Sequence, residues 1–561
     1  MKTNIAFSSR AGRWFGPGNM MNSKSLFRRL AGTLPGVLLW LAVLPYGALV
    51  LPVFDAQAGV VFTTLYSFGS VQDTNGVALD GANPQAGLLQ GSDGNFYGTT
   101  FWGGTNIGLT PYGWNSWGTV FKMSTNGTLT TLYSFTGDND GANPSAGLVQ
   151  GSDGNLYGTT YYGGTNGYGT VFKISTNGVF TSLYSFGSVL DSNGLLLDGS
   201  GPNGLVQGSD GLFYGTTQWG GAFTDQYNSI GYGTVFRITT NGALATLYSF
   251  GSVQDTNGNP LDGVAPFASL VQGSDGYLYG TTSGGGTDDY GTVFRISTNG
   301  VLTCLYSFTG GNDGGGPAAC LVQGSDGDFY GTTAGILSRG NIGSKPGSPG
   351  SVFKITANGA LTALHTFGTF FGENDGLNPQ AGLVQGSDGT FYGTTESTTV
   401  ESGMDYIAFV GPGTVFRIST NGGLTTVHAF GSITNTSGEL LDGVSPAAAL
   451  VQGRDGNFYG TTSSGGAFTN QFANQFGQGY GTVFRLTIVP SPQLTIIPYG
   501  ENVILTWPTN AFVFTLQSST GLGSAANWNT NSPSPVVIGG QNVIINPLTG
   551  TQMFFRLLLA Q

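Results

Sequence analysis

The chain is poor in charge. Of 561 residues, 17 are Lys or Arg and 29 are Asp or Glu, 8% in all, against roughly a quarter in an ordinary soluble domain. It has two cysteines, Cys304 and Cys320, and two histidines, His365 and His428. Two thiols cannot make the disulfide framework of a small secreted fold. Both sit at repeat positions where other copies carry small or polar residues, which predicts unpaired buried thiols. No His-Glu-x-x-His, Gly-x-Ser-x-Gly or Cys/His cluster occurs, so metal hydrolysis and triad catalysis lack sequence support. Past residue 58 no stretch is long and apolar enough to span a bilayer. Glycine, at 98 residues, and aromatics, at 38 Phe, 24 Tyr and 8 Trp, are plentiful. The glycines keep no three-residue period, which excludes collagen. A hydrophobic content of 39% argues against disorder. Strands and tight turns remain.

Six of the 17 basic residues (Lys2, Arg10, Arg13, Lys24, Arg28, Arg29) precede an apolar run over 34–54. The run leads into Ala56-Gln57-Ala58, a small-x-small cleavage pattern. Residues 1–58 are therefore expected to be a signal peptide, with an uncleaved membrane anchor as the other reading. Removing them leaves 11 basic and 28 acidic residues, a net charge of −17. That balance speaks against nucleic-acid binding through phosphates. The expected location is extracellular, at the cell surface or in the periplasm, with no stable membrane span after cleavage.

Repetition dominates the rest. The string Gln-Gly-Ser-Asp-Gly-x-x-Tyr-Gly-Thr-Thr recurs with its tyrosine at Tyr97, Tyr157, Tyr214, Tyr279, Tyr330, Tyr392 and Tyr459, and Arg454 replaces one serine. The mean spacing, (459 − 97)/6, is about 60 residues. Gly-Thr-Val-Phe-(Lys/Arg) and Leu-Tyr-Ser-Phe, each counted with its close variants, also occur seven times. Each copy reads as four short strands, with Ser-Asp-Gly turning the first into the second and Asn-Gly the third into the fourth. Apolar residues at adjacent positions, such as Phe96-Tyr97 and Val120-Phe121, would point to opposite faces, so both faces must be covered.

Four-stranded sheets repeated radially make a β-propeller. Residues 60–68 are a fourth-strand copy without earlier partners, and the last copy lacks its own fourth strand. Pairing the two predicts a seven-bladed β-propeller over 59–489, closed by its N-terminal strand; an open solenoid is the alternative. The strings at 146–160 and 169–173 resemble the GloVer repeats, found in exported bacterial proteins with tandem repeats and interchangeable C-terminal anchors. The resemblance covers about residues 60–488. It implies export and a propeller-like fold, and it carries over no catalytic residue.

Past Pro490-Ser491-Pro492 the repeat stops. Residues 490–561 hold five or six short apolar runs separated by turn signals, which predicts a small all-β sandwich of fibronectin or immunoglobulin type. Its expected role is attachment or spacing.

The repeat accounts for most candidate catalytic groups. Asp93, Asp153, Asp210, Asp275, Asp326, Asp388 and Asp455 share the turn position, and Lys122, Lys173, Arg237, Arg295, Lys354, Arg417 and Arg485 share one strand position. A residue needed once per blade is structural, and each basic residue is expected to pair with the turn aspartate of its own blade. His365 and His428 replace the tyrosine of Leu-Tyr-Ser-Phe and are expected to be packed structural groups. No catalytic residue, metal or cofactor is assigned. Function is expected on the variable two-to-three and four-to-one loops. Trp102, Tyr112, Trp114, Trp117, Trp219 and Tyr227 lie there among amides, an arrangement suited to a polysaccharide or a surface protein. Merely covering the blade tops would explain them equally. The expected function is a monomeric binding or surface-interaction scaffold. The alternatives are a carbohydrate-active enzyme using loop carboxylates such as Glu396 or Glu439, and a purely structural envelope protein.

Overall fold

The strand Phe96–Thr100 is buried at every position. Adjacent residues point to opposite faces, so it must be packed on both. The third strand, Thr119–Met123, is buried except at Lys122, the fourth, Leu129–Ser134, is mostly half-buried, and the first, Leu89–Gln90, is short. They pair antiparallel in the order first, second, third, fourth. A Cβ on Gly98 would stand 2.5 Å from the Phe121 ring and 2.9 Å from the Leu88 side chain. Glycine at this place lets one copy's third-strand phenylalanine lie flat across its second strand.

The computed structural model describes residues 41–43, 59–110, 113–224, 230–335, 350–368, 375–397, 399–402, 407–468, 479–489, 494–499, 502–508, 514–520, 527–530, 534–547 and 553–559. All named elements among them are strands. No helix among them is long and apolar enough to cross a membrane. The chain forms two units, Val60–Ile488 and a second made of Met1–Gly59 with Val489–Gln561.

The described residues of the first unit form seven four-stranded sheets and two small hairpins. Six sheets each come from one copy of the repeat. The seventh joins Gly59–Ser67 to Thr482–Val489, Phe458–Thr462 and Val451–Gln452, and the Phe68 amide donates to the Gly481 carbonyl at 3.0 Å. The orphan strand thus completes the last copy, as the sequence predicts.

Contacts between copies run in one direction and return to their start. The Ser92 amide donates to Gln150 Oε1 of the next copy at 2.8 Å, and the same bond recurs from Ser152, Ser209, Ser274, Ser325 and Ser387. From the last copy, the Arg454 amide donates to Gln90 of the first at 2.9 Å. Thr99 Oγ1 donates to the Ala146 carbonyl of the following copy, and Thr461 Oγ1 reaches back to that of Ala86, both at 3.2 Å. Rings stack across the same seams: Tyr157 on Phe213 at 4.1 Å, Tyr330 on Phe391 at 4.0 Å, and Phe96 against Tyr459 at 4.2 Å. Each core cluster draws on adjacent copies. Full burial of each such ring stabilises by about 1.5–3 kcal/mol. The arrangement is propeller-like, and its hydrophobic core is a chain of seams.

The turn aspartates hold a partner that the sequence reading missed. In all seven copies the tyrosine hydroxyl of the same string donates to the turn carboxylate, at 2.6–2.9 Å. The other carboxylate oxygen accepts the backbone amide two residues on, as for Asp93 and Asn95 at 3.1 Å. Lys122 pairs with Asp93 at 2.9 Å, and Lys354 with Asp326 at 3.2 Å and Asp328 at 2.5 Å. In other copies the basic group acts differently. Lys173 lowers the Asp153 pKa through its charge alone, while Arg295, Arg417 and Arg485 bear on the tyrosine hydroxyls.

The second unit holds two more four-stranded sheets. One orders Leu41–Val43, Met553–Leu559, Phe514–Ser519 and Asn529–Thr530; the other orders Thr495–Tyr499, Asn502–Pro508, Gln541–Pro547 and Val536–Ile538. Burial alternates along Asn502–Pro508, so one face of that strand is inward. Val503, Leu505, Trp507 and Ile544 of the second sheet share a core with Leu516, Met553 and Phe555 of the first. Neither cysteine is bridged: Cys304 is exposed and Cys320 half-buried, so the expected burial fails for Cys304, which stands on an outer fourth strand.

Candidate functional site

A second set of carboxylates fixes the loop rim. Asp80 is buried and accepts from Tyr66 Oη at 2.7 Å, from the amides of Gly69 and Ser70 at 3.0 Å, and from Ser70 Oγ at 2.7 Å. Asp140, Asp198, Asp262 and Asp313 bind in the same way the tyrosine of the fourth strand just before them. For Asp375 and Asp442 the partner is histidine: His365 Nε2 to Asp375 at 2.9 Å and His428 Nε2 to Asp442 at 3.1 Å. Imidazole replaces phenol in one structural slot. Burial, reinforced by the aspartate, pushes the Tyr66 hydroxyl up to about 12.

The same loops carry seven left-handed residues, each followed by proline: Asn83, Asn143, Gly201, Ala265, Gly316, Asn378 and Ser445, with φ between 51° and 64°. The proline packs on the glycine that opens the preceding copy's third strand, as Pro144 on Gly118 and Pro84 on Gly481. The left-handed residue also accepts the amide that follows Gly-Thr-Thr: Phe101 to Asn83, Tyr161 to Asn143, Ser283 to Ala265, Glu396 to Asn378, and Ser463 to Ser445. One residue on, the threonine hydroxyl holds the backbone carbonyl, as Thr100 does for Trp102 at 2.8 Å and Thr217 for Trp219 at 2.8 Å. The repeat thus fixes the backbone of this two-residue step and leaves its side chains free to differ.

They do differ. The first residue of the step is Phe101, Tyr161, Gln218, Ser283, Ala334, Glu396 or Ser463; the second is Trp102, Tyr162, Trp219, Gly284, Gly335, Ser397 or Ser464. Aromatics therefore gather on the first three consecutive copies. Trp102 is 37% exposed, Tyr162 is 53% exposed, and Trp219 is half-buried. Trp219 Nε1 donates to Tyr161 Oη at 3.2 Å, and Tyr161 Oη donates to Gln218 Oε1 at 2.5 Å, which binds the second copy to the third.

Glu396 is the acid in this column. Its Oε2 accepts from both Asn378 Nδ2 and Gln380 Nε2 at 2.7 Å. In the first two copies the matching asparagine instead reaches across the seam, Asn83 to the Ser463 carbonyl and Asn143 to that of Phe101. Burial raises the Glu396 pKa above the ordinary carboxylate value, although the Asn378 bond works against it. The other loop acids bind their own loops: Asp289 accepts the Gly285 amide at 2.7 Å, and Glu439 accepts Asn435 Nδ2 at 2.5 Å. Asp73 accepts the Asn75 and Val77 amides within its own hairpin. No group of three or more metal-ligating side chains occurs among the described residues.

Of the aromatic candidates, the structure brings Trp102 and Trp219 onto this step. Trp117 lies elsewhere: it stands where Tyr168, Tyr232, Tyr290 and Tyr480 stand in other copies, its ring over Gly137 as theirs lie over Gly187, Gly251, Gly310 and Gly69. Trp114 is in the hairpin strand Gly113–Ser116; Tyr112 and Tyr227 lie outside the described residues. The sequence reading missed Gln218, Asn378 and Gln380, and did not see that Glu396 shares a column with Tyr161. Aligning the residues that follow each Gly-Thr-Thr would have found that column.

Fold and rim together define a propeller-like repeat protein with a variable face. Residues 52–261 and 253–473 match the Gloeobacter/Verrucomicrobia repeat, and the chain belongs to that family. No curated protein matches. Among solved structures the chain is similar to a putative 6-phosphogluconolactonase from Bacteroides uniformis, at 16% identity over 66% of this chain and 95% of that one, with a TM-score of 0.38. It is also similar to the Penicillium chrysogenum alpha-L-arabinanase, at 11% identity over 78% and 99%, with a TM-score of 0.34. A third is Pseudomonas fluorescens PhoX, at 12% identity over 81% and 97%, with a TM-score of 0.38.

Proposed function

We propose that Val60–Ile488 is a seven-bladed β-propeller, that the second unit carries a small β-sandwich, and that the protein is an exported binding or surface-interaction scaffold. The closed cycle of Ser-to-Gln bonds supports the blade number, and the core shared by two sheets supports the sandwich. Export is supported by Ala56-Gln57-Ala58 standing directly before the strand Gly59–Ser67, and cleavage there would remove the edge strand Leu41–Val43 from its sheet. A ring closed within one chain supports a monomer.

The observation that carries the function is the aromatic step of three neighbouring copies, with Trp102 and Tyr162 exposed and Trp219 half-buried, on a backbone the repeat holds by hydrogen bonds. Flat rings beside amide and hydroxyl groups suit a polysaccharide or a glycosylated surface. The experiment is a glycan array probed with the secreted chain, followed by titration of the best hit. Trp102→Ala and Trp219→Ala are expected to weaken binding at least about tenfold, the effect of losing an aromatic hot spot, while releasing no cleavage product. Unchanged binding in both variants would refute the rim as the site. Mass analysis of the secreted chain is expected to place its first residue at Gly59.

A further inference from the structure

In a cycle of seven copies, the sixth faces the seam between the second and third. The sixth carries Glu396 with Asn378 and Gln380, and that seam carries the Tyr161, Gln218 and Trp219 hydrogen-bond chain. Both clusters stand on the same repeat step, so they share a height on the rim. The step lies on the first-strand side, because its amide is held by a residue of the loop that leads into the first strand. First strands neighbour one another around the ring: a Cβ on Gly147 would meet the Gly87 carbonyl at 3.1 Å, and one on Gly87 that of Ala449 at 3.1 Å. On one side between the clusters the step carries the short side chains of Ser283 and Ala334; on the other it carries Ser463 and then the aromatic pair Phe101 and Trp102.

We propose that the ring mouth is a two-walled site for a neutral polyhydroxylated ligand, with Glu396 as hydrogen-bonding anchor on one wall and Tyr161, Gln218 and Trp219 on the other. This rests on the propeller reading above and names the ligand class and the contacts. The chemistry favours hydroxyl groups. Asn378 and Gln380 both take Oε2 of Glu396, which orients the carboxyl and leaves Oε1 for a ligand hydroxyl. No Lys or Arg occurs on the step in any copy, so the two walls themselves offer phosphates, sulfates and uronates no counter-charge.

The test uses the full secreted chain against an array of neutral, anionic and amino oligosaccharides, followed by calorimetric titration of the best neutral hit. Glu396→Ala is expected to weaken binding at least about tenfold, as befits the loss of a hydrogen bond to a charged group, and Tyr161→Phe about threefold or more, the loss of a neutral one. Thermal melts establish that each variant is folded, and Glu396→Gln, which keeps the shape, is expected to bind more weakly than the parent. A neutral hit that needs Trp102 and Trp219 but ignores Glu396 and Tyr161 would overturn this inference and leave the aromatic rim standing. Selective capture of anionic or amino sugars would overturn the ligand class. No glycan binding at all would overturn both readings.

Discussion

The backbone amide of Arg454 donates to the side-chain oxygen of Gln90, 2.9 Å away, although 364 residues of chain separate them. Arg454 replaces the serine of the other six copies, yet the bond survives because it uses only the backbone at that end. The Arg454 guanidinium adds a bond to the Ser92 carbonyl at 3.1 Å, so the substituted position reinforces the contact between the last copy and the first.

Closure should therefore carry much of the unit's stability. Removing residues 59–68 takes away the strand that completes the last sheet, together with the fully buried Phe68. The truncated chain is expected to melt at a markedly lower temperature and to self-associate through the exposed edge of Thr482–Val489. Calorimetry and light scattering check this, and an unchanged melt with a monomeric profile would refute it.

Acid should loosen the turns. Burial alone would raise Asp93, Asp153, Asp326 and Asp455, but hydrogen bonds from the tyrosine hydroxyl, the amide two residues on and their other donors outweigh it and hold them below the ordinary 3.8. Depressed folded-state values mean stability that is fully present above about pH 4 and is lost as pH falls through the lowered values. Melting temperature against pH is expected to be flat near neutrality and to drop below pH 4. Asp153→Asn should blunt the acid drop while lowering the neutral plateau.

Ala265 should be an improvable residue. Its φ of 51° is left-handed, which costs an alanine about 1–2 kcal/mol. Asn83 and Asn143 hold the same conformation and donate across the seam as well. Ala265→Asn is expected to stabilise by about 1 kcal/mol, read from denaturant midpoints, with no change in ligand binding.

Glu396 should cost stability where it is charged. Because burial raises its pKa in the fold, its favourable contribution is present below the ordinary carboxylate value and is lost as pH rises through the raised one. Glu396→Gln keeps an acceptor for Asn378 and Gln380 and is expected to melt higher than the parent at neutral pH, with the difference vanishing in acid. Ligand binding should weaken in the same variant, the opposition expected where function and stability compete for one position.

Most of the repeat unit was legible because its strings are local. Gly-Ser-Asp-Gly and Asn-Gly specify turns by themselves, and the adjacent pair Phe96-Tyr97 already demands a sheet covered on both faces. Partnerships across sequence distance were harder to read. Lys122 lies beside Asp93, a pairing that charge alone suggests, but charge gives no sign of the Tyr97 hydroxyl, which sits in an apolar buried strand and ends at the carboxylate, as its counterpart does in every copy. Trp117 drew attention as a rare residue, whereas its column shows tyrosine in most copies and so a packing duty over Gly137. Glu396 was noticed as an outlier, but its amide partners come from the loop before the first strand, and nothing in linear spacing joins Asn378 to it.

The seam bonds have one more consequence. An open array of repeats can fray from an end and come apart copy by copy. Here each first-strand glutamine grips the turn of the preceding copy, and the last turn grips Gln90. Melting any single wedge strips two others of a partner, so denaturation should be one indivisible event, as abrupt as a hoop that fails at a single stave.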